Sequence, residues 1–233
     1  PASPPTACAG AAAAVLLRPH LRTPWVATLA PALVVVPYLA GARPLDLGQV
    51  EVLVALPLVL ALLALDDTRG PVTGRRWLAA GLAAGAVVLL KHFYVLIVLV
   101  WAARTLWRTR REGGWWRGPA WMAGGLGLVF LPVAAYFTAY DLWDRIWWTY
   151  FEYSPGTTSL DPRPIGRLAR GVSHLVITLA PLFLLALAGL VWRWRRSEQR
   201  IVGDVLVWIV VGGGLVLMQS WWSYHFLLLY APV

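Results

Sequence analysis

Lys91 and His92 stand side by side in "VVLLKHFYVLIV" (87–98), an ammonium and an imidazole inside an otherwise apolar run. Of the twenty lysines and arginines in the 233-residue chain, Lys91 is the sole lysine. Carrying such a charge to the middle of a bilayer costs on the order of 2.5–3.5 kcal/mol on insertion scales, and residues placed there usually face a pathway or a partner. The pair has the chemistry to hold an anionic oxygen, and a lipid phosphate suits an ammonium whose charge is poorly screened. The plain alternative is a lysine on one long tilted helix, its stem laid along apolar surface and its ammonium reaching the interface.

Two further sets carry polar chemistry. Gln219, Ser220, Tyr224 and His225 fall in "LMQSWWSYHFLLLY" (217–230), between two apolar runs. Tyrosine and histidine there equally fit amphipathic anchors at a membrane interface. Asp46, Gln49 and Glu51 fall in "PLDLGQVEVL" (44–53), at the entry to another run, where Glu51 equally fits a carboxylate stabilising the positive end of its helix. No hydrolase triad, phosphate-binding glycine loop or metal-ligand spacing is present, and His20, His92, His174 and His225 are too dispersed to predict a chelate. Cys8 is the single cysteine, which excludes an internal disulfide and a cysteine-based metal cage.

The elements that must position these residues follow from composition. With 59% hydrophobic and 13% charged residues and a mean hydropathy of +0.65, the chain holds more apolar surface than a soluble core of this length hides. It reads as all-α, a polytopic bundle of about eight to nine membrane segments in a single integral domain, 1–233. The absence of an initiator methionine and the apolar ending "FLLLYAPV" predict further helices at both ends. The net charge of +9 comes from arginines clustered between apolar runs, which points to orientation in a membrane and away from nucleic acid.

The apolar runs are 8–17, 24–41, 50–65, 77–106, 119–139, 171–192, 202–219 and 222–233. A spanning helix needs ~20 residues. The fourth run is too long for one simple crossing. The arginine-rich segments 66–76, 104–117 and 193–200 vote for one side, the cytoplasmic one, so the chain between 76 and 104 crosses an even number of times. A hairpin broken at Lys91-His92, with arms 77–90 and 93–106, meets that condition. Each arm would reach about 21 Å, so its tip would stop short of a ~30 Å hydrocarbon core. Broken backbone at that depth is tolerated only against protein or a wet cavity.

The same parity places 41–51, the external loop 140–170 and 220–224 on the outer face. Within that loop Trp143, Ile146, Trp147, Tyr150 and Phe151 recur at helical spacing, predicting an amphipathic helix in the headgroup plane. Gly81 and Gly85 predict a close helix contact on the first hairpin arm, as do Gly124, Gly125, Gly127 and the glycines at 212–214 elsewhere. Asp204, at the cytoplasmic start of a helix, reads as structural.

"WLAAGLAAGAVVLLKHFYVLIVLVWAARTLW" (77–107) resembles the glycine-spaced, lysine-tipped hairpin of the GT-C superfamily, the polytopic glycosyltransferases related to protein mannosyltransferases and aminoarabinose transferases. "LDLGQVEVLVALPLVL" (45–60) is similar to a Gly-Gln-x-Glu segment and proline-containing helix of bacterial members, with Val50 and Val52 where arginine and histidine stand in the family, and "QSWWSYHFLLLYAP" (219–232) to a later Tyr-His segment. The resemblance spans roughly 45–233. It implies a multi-pass protein of a bacterial plasma (inner) membrane that moves a sugar from a polyprenyl-phosphate donor to a lipid, glycan or protein acceptor on the outer face. Lys91 and His92 would then bind the donor phosphate, and Gln49, Glu51, Gln219, Tyr224 and His225 would bind substrate. No cofactor or resident metal is implied, though a divalent cation is compatible with the chemistry. The family's catalytic carboxylate lies in a first external loop, which matches nothing here and would precede Pro1, so neither Asp46 nor Glu51 takes that role. The competing expectations are a flippase or transporter for a lipid-linked glycan, and a non-catalytic membrane subunit.

Overall fold

The computed structural model describes residues 53–110, 114–153, 165–166, 168–170, 172–173, 188, 191 and 199–218. Within them every regular element is helical. Two stretches, Gly74–Thr109 and Arg117–Ala139, are long and apolar enough to cross a membrane. The other segments of the expected eight to nine fall wholly or largely outside the described residues, apart from the shorter apolar helices Ala55–Leu65 and Val202–Leu217.

Helix α1 covers Ala55–Leu65, and a single 3-10 turn, Asp67–Arg69, leads towards α2, Gly74–Lys91. The Asp66 carboxylate accepts from the Thr68 amide at 3.0 Å and from its hydroxyl at 2.6 Å, which stops α1 and starts the turn. A second 3-10 turn, His92–Tyr94, separates α2 from α3, Val95–Thr109.

The 36-residue stretch Gly74–Thr109 would measure about 54 Å as a straight rod. Its two ends instead meet the same turn. From the start of α2, the Arg76 guanidinium donates to the carbonyl of Leu63 at 3.3 Å, to that of Gly70 at 3.2 Å and to that of Asp66. From the end of α3, the Thr105 hydroxyl donates to the Leu65 carbonyl at 3.3 Å, and Arg108 Nε lies 2.9 Å from the Asp67 carboxylate. The last carbonyls of a helix lack intrahelical donors, and here both arms supply them. The chain therefore doubles back between α2 and α3. The arms start and end three residues beyond 77–106, because the apolar pattern stops at Trp77 and Leu106 while the backbone pattern continues through Arg75, Arg76 and Arg108.

Helix α4, Arg117–Ala139, packs on α2 along its length and runs parallel to it. Trp77 meets Gly118, Gly81 meets Met122, and Gly85 meets Val129. A methyl group on Gly81 would collide with the Met122 carbonyl, one on Gly125 with the Leu78 carbonyl, and one on Gly85 would sit 2.7 Å from Val129 Cβ. Backbones at this separation require glycine. Gly124 and Gly127, by contrast, face open space or a side-chain tip, so the expectation of close contact holds for Gly125 alone of those three.

At its far end α4 closes without glycine. Asp141 adopts φ 52°, and the Leu142 amide reaches back to the Phe137 carbonyl at 2.9 Å, so a left-handed residue ends the helix. The amphipathic helix expected over 143–151 is helical only as α5, Trp143–Trp147, and widens into a π-helical turn, Trp148–Tyr153. The wider turn departs from the 3.6-residue period on which that expectation rests.

Helix α6, Gln199–Leu217, runs antiparallel to α3. Trp101 Nε1 donates to the Asp204 carbonyl at 2.8 Å, Arg104 pairs with the Asp204 carboxylate at 3.0 Å, and the Trp101 and Trp208 rings meet edge to face at 5.6 Å. Higher up, α6 touches the His92–Tyr94 turn. Asp204 is thus the structural residue expected, an ion-pair partner between helices. Trp101, Trp208, Tyr94, Leu58 and Leu65 are the largest fully buried side chains.

Gly81→Leu should separate α2 from α4 at a cost of about 1–3 kcal/mol, read as a lower unfolding midpoint in detergent. Gly127→Leu, which meets nothing within 4 Å, should leave the midpoint unchanged or raise it. Equal losses in both would mean that the close contact is not what these glycines provide.

Candidate functional site

Lys91 ends α2 with an extended backbone, φ −160° and ψ 97°, and His92 returns to helical angles. One extended residue is enough to redirect the chain, and the aromatic residues after it fix the new course. Tyr94 is completely buried, which draws the 3-10 turn down onto the core. The Phe93 ring lies edge-on to His92 at 5.1 Å and to Tyr94 at 4.8 Å.

The Lys91 ammonium sits 5.4 Å from the ring centroids of both Phe93 and Tyr94. Two aromatic faces at that range stabilise the charged form without neutralising it. Lys91 is half-buried and His92 exposed. The imidazole is therefore open to whatever surrounds the tip, while the ammonium stands just inside. Such a pair can bind an anionic oxygen, donating from Nζ and from a ring nitrogen.

The opposite end of the bundle carries the arginines. Arg76, Arg104 and Arg108 are engaged there with carbonyls and carboxylates around the α1–α2 turn and the start of α6. Fifteen residues of α2 separate Arg76 from Lys91, about 22 Å of helix. The arginine segments 66–76 and 104–110 and the start of α6 thus gather at one end, and the single lysine stands at the other.

Of the residues expected at the site, the structure places Lys91 and His92 together at the tip. Gln49, Glu51, Gln219, Tyr224 and His225 lie outside the described residues, as do Asp46 and Ser220. Phe93 and Tyr94, which flank the ammonium, were legible as apolar residues but not as partners of the charge; their adjacency to Lys91 was the available signal. Among the described residues no group of three or more histidine, cysteine or acidic side chains is arranged to hold a metal ion.

Comparison with family models, with curated proteins and with solved structures gives no match to this chain.

The separation of the two ends has a direct readout. In a Cys8→Ser background inserted in sealed vesicles, His92→Cys and Arg110→Cys should react with a membrane-impermeant maleimide from opposite sides. Labelling of both from the same side would contradict the assignment of the tip and the arginine end to opposite faces.

Proposed function

We propose that this chain belongs to a multi-pass plasma-membrane glycosyltransferase, one that takes a sugar from a polyprenyl-phosphate donor and delivers it to a lipid, glycan or protein acceptor on the outer face. The observation that carries the proposal is the placement of the sole lysine at the tip of an apolar hairpin, flanked by two aromatic rings.

Three features support it. The tip is about 22 Å of helix from the arginine end, less than the ~30 Å of a hydrocarbon core, so an ammonium there meets the headgroup side of the outer leaflet from below. Helix α4, at 23 residues, is about 35 Å long and outruns α2, which leaves Lys91 recessed beside it. Finally, α1 is antiparallel to α2 and α6 is antiparallel to α3, so the chain enters α1 at Ala55 and leaves α6 at Leu217 on the Lys91 side. The Gly-Gln-x-Glu and Tyr-His segments directly precede the one and follow the other in sequence.

Chemically, sugar transfer breaks the bond from the anomeric carbon to the donor phosphate as an acceptor hydroxyl attacks and gives up its proton to a carboxylate base. Negative charge gathers on the departing phosphate oxygens. A fixed ammonium with an imidazole beside it stabilises that charge more in the transition state than in the ground state. Lys91 and His92 take this role, and Gln49, Glu51, Gln219, Tyr224 and His225 are assigned to sugar and phosphate oxygens.

Membranes carrying the protein, incubated with radiolabelled polyprenyl-phosphate sugars, should release label from the lipid. Lys91→Ala should lower that release by roughly 10²–10³-fold while the purified protein keeps its elution volume, and Lys91→Arg should retain part of it. Undiminished release in a folded Lys91→Ala protein would sink the assignment. Movement of intact donor across the bilayer without loss of sugar would favour a lipid-linked glycan transporter instead.

A further inference from the structure

At the arginine end, the starts of α2 and α4 and the end of α3 line an open cavity of about 340 Å³, within the size range of small-ligand pockets. Its walls include Trp77, Trp115 and Trp121, with Thr109 and Arg117 contributing the side-chain polar groups. Two of the indoles are seated on glycine. A methyl group on Gly118 would lie 2.7 Å from the Trp77 ring, and one on Gly74 would lie 2.6 Å from Trp121 Nε1. The α2–α4 contact that brings the backbones together therefore also fixes the aromatic walls.

Arg117 differs from its neighbours. Arg104 and Arg108 are paired with Asp204 and Asp67, and Arg76 is spent on backbone carbonyls. The Arg117 side chain folds over Gly114 and approaches the Trp116 ring at 5.9 Å, and it has no acidic partner among the described residues. A guanidinium at the mouth of an aromatic cavity matches the fork geometry of a phosphate.

The surface beside the cavity is apolar. Trp121, Leu128 and Ala135 repeat at seven-residue spacing along an exposed stripe of α4, with Leu131 next to it. We propose that this cavity seats the headgroup of an anionic phospholipid, the phosphate against Arg117 and the acyl chains along the exposed stripe of α4. Free phosphate shares the headgroup's chemistry but gains nothing from the stripe, and a zwitterionic lipid gains less from the guanidinium. Basic pockets between helices at the arginine-rich side of membrane proteins bind headgroups in this way. The inference does not depend on the glycosyltransferase assignment, since the cavity and Lys91 lie at opposite ends.

The full chain in detergent, mixed with equal amounts of phosphatidylglycerol and phosphatidylcholine, is examined by native mass spectrometry. Phosphatidylglycerol should be retained about fivefold over phosphatidylcholine, the effect of one arginine beside an anionic lipid. Arg117→Gln should bring the two lipids to parity, Arg117→Lys should keep a reduced preference, and Arg110→Gln, outside the cavity, should keep it whole. The proposal is overturned by equal retention of both lipids in the unaltered protein, by a preference that survives Arg117→Gln, or by Arg110→Gln removing it as fully. Displacement of phosphatidylglycerol by millimolar inorganic phosphate alone would also overturn it, since the ligand would then be the free anion.

Discussion

The close approach of α2 and α4 through Gly81 and Gly125 is the contact on which the rest of the structure depends. Each of these glycines faces a carbonyl of the opposite helix, Met122 for one and Leu78 for the other. Removing side-chain atoms from a helix face does little by itself in an apolar setting, because lipid competes as a packing partner; what it gains is backbone proximity and a dense set of van der Waals contacts. Once α2 is held against α4, both of its ends are positioned. One end seats Trp77 on Gly118 and Trp121 on Gly74. The other carries Lys91 to a tip beside a longer helix.

The doubling back of α2 and α3 has its own physical requirement. It brings both arms back to the last turn of α1, where carbonyls without intrahelical donors must find other partners. At the arginine end the debt falls on the last turn of α1, whose carbonyls at Leu63, Leu65 and Asp66 are taken up by Arg76 and Thr105. Arg104 and Arg108 are spent on Asp204 and Asp67. Several of the arginines whose clustering predicts an orientation in a membrane are therefore also structural, tying α1, α2, α3 and α6 together. Arg117, which is exposed, takes no part in these ties.

Run length and loop charge made the reversal at Lys91-His92 legible, because an even number of crossings follows from arithmetic on the arginine segments alone. Glycine spacing made the contact face of α2 legible at Gly81 and Gly85. The partner helix was not, since α4 is apolar on nearly every face and its sequence has no polar side to mark the exposed one. Gly125 and Gly124 are adjacent and chemically identical, yet one is pressed against a backbone and the other is not; only the register of the two helices decides between them. The same limit hid the tryptophan cavity, which exists only where three helix ends meet. The truncated α5 shows a further limit: a 3.6-residue period in the aromatic residues carries no information on where the backbone widens.

The contrast between one lysine and nineteen arginines acquires a physical meaning from the two ends. Arginine suits the end where several carbonyls and carboxylates must be bridged at once, because its planar fork holds more than one acceptor and stays charged whatever its surroundings. Lysine suits a recessed tip, where a compact charge on a slim stem fits beside two aromatic faces that replace part of its hydration. An arginine at position 91 would carry its charge on a broader group. The residue type at the tip thus suits the anionic ligand proposed for it, and the residue types at the opposite end suit the chain's own carbonyls and carboxylates.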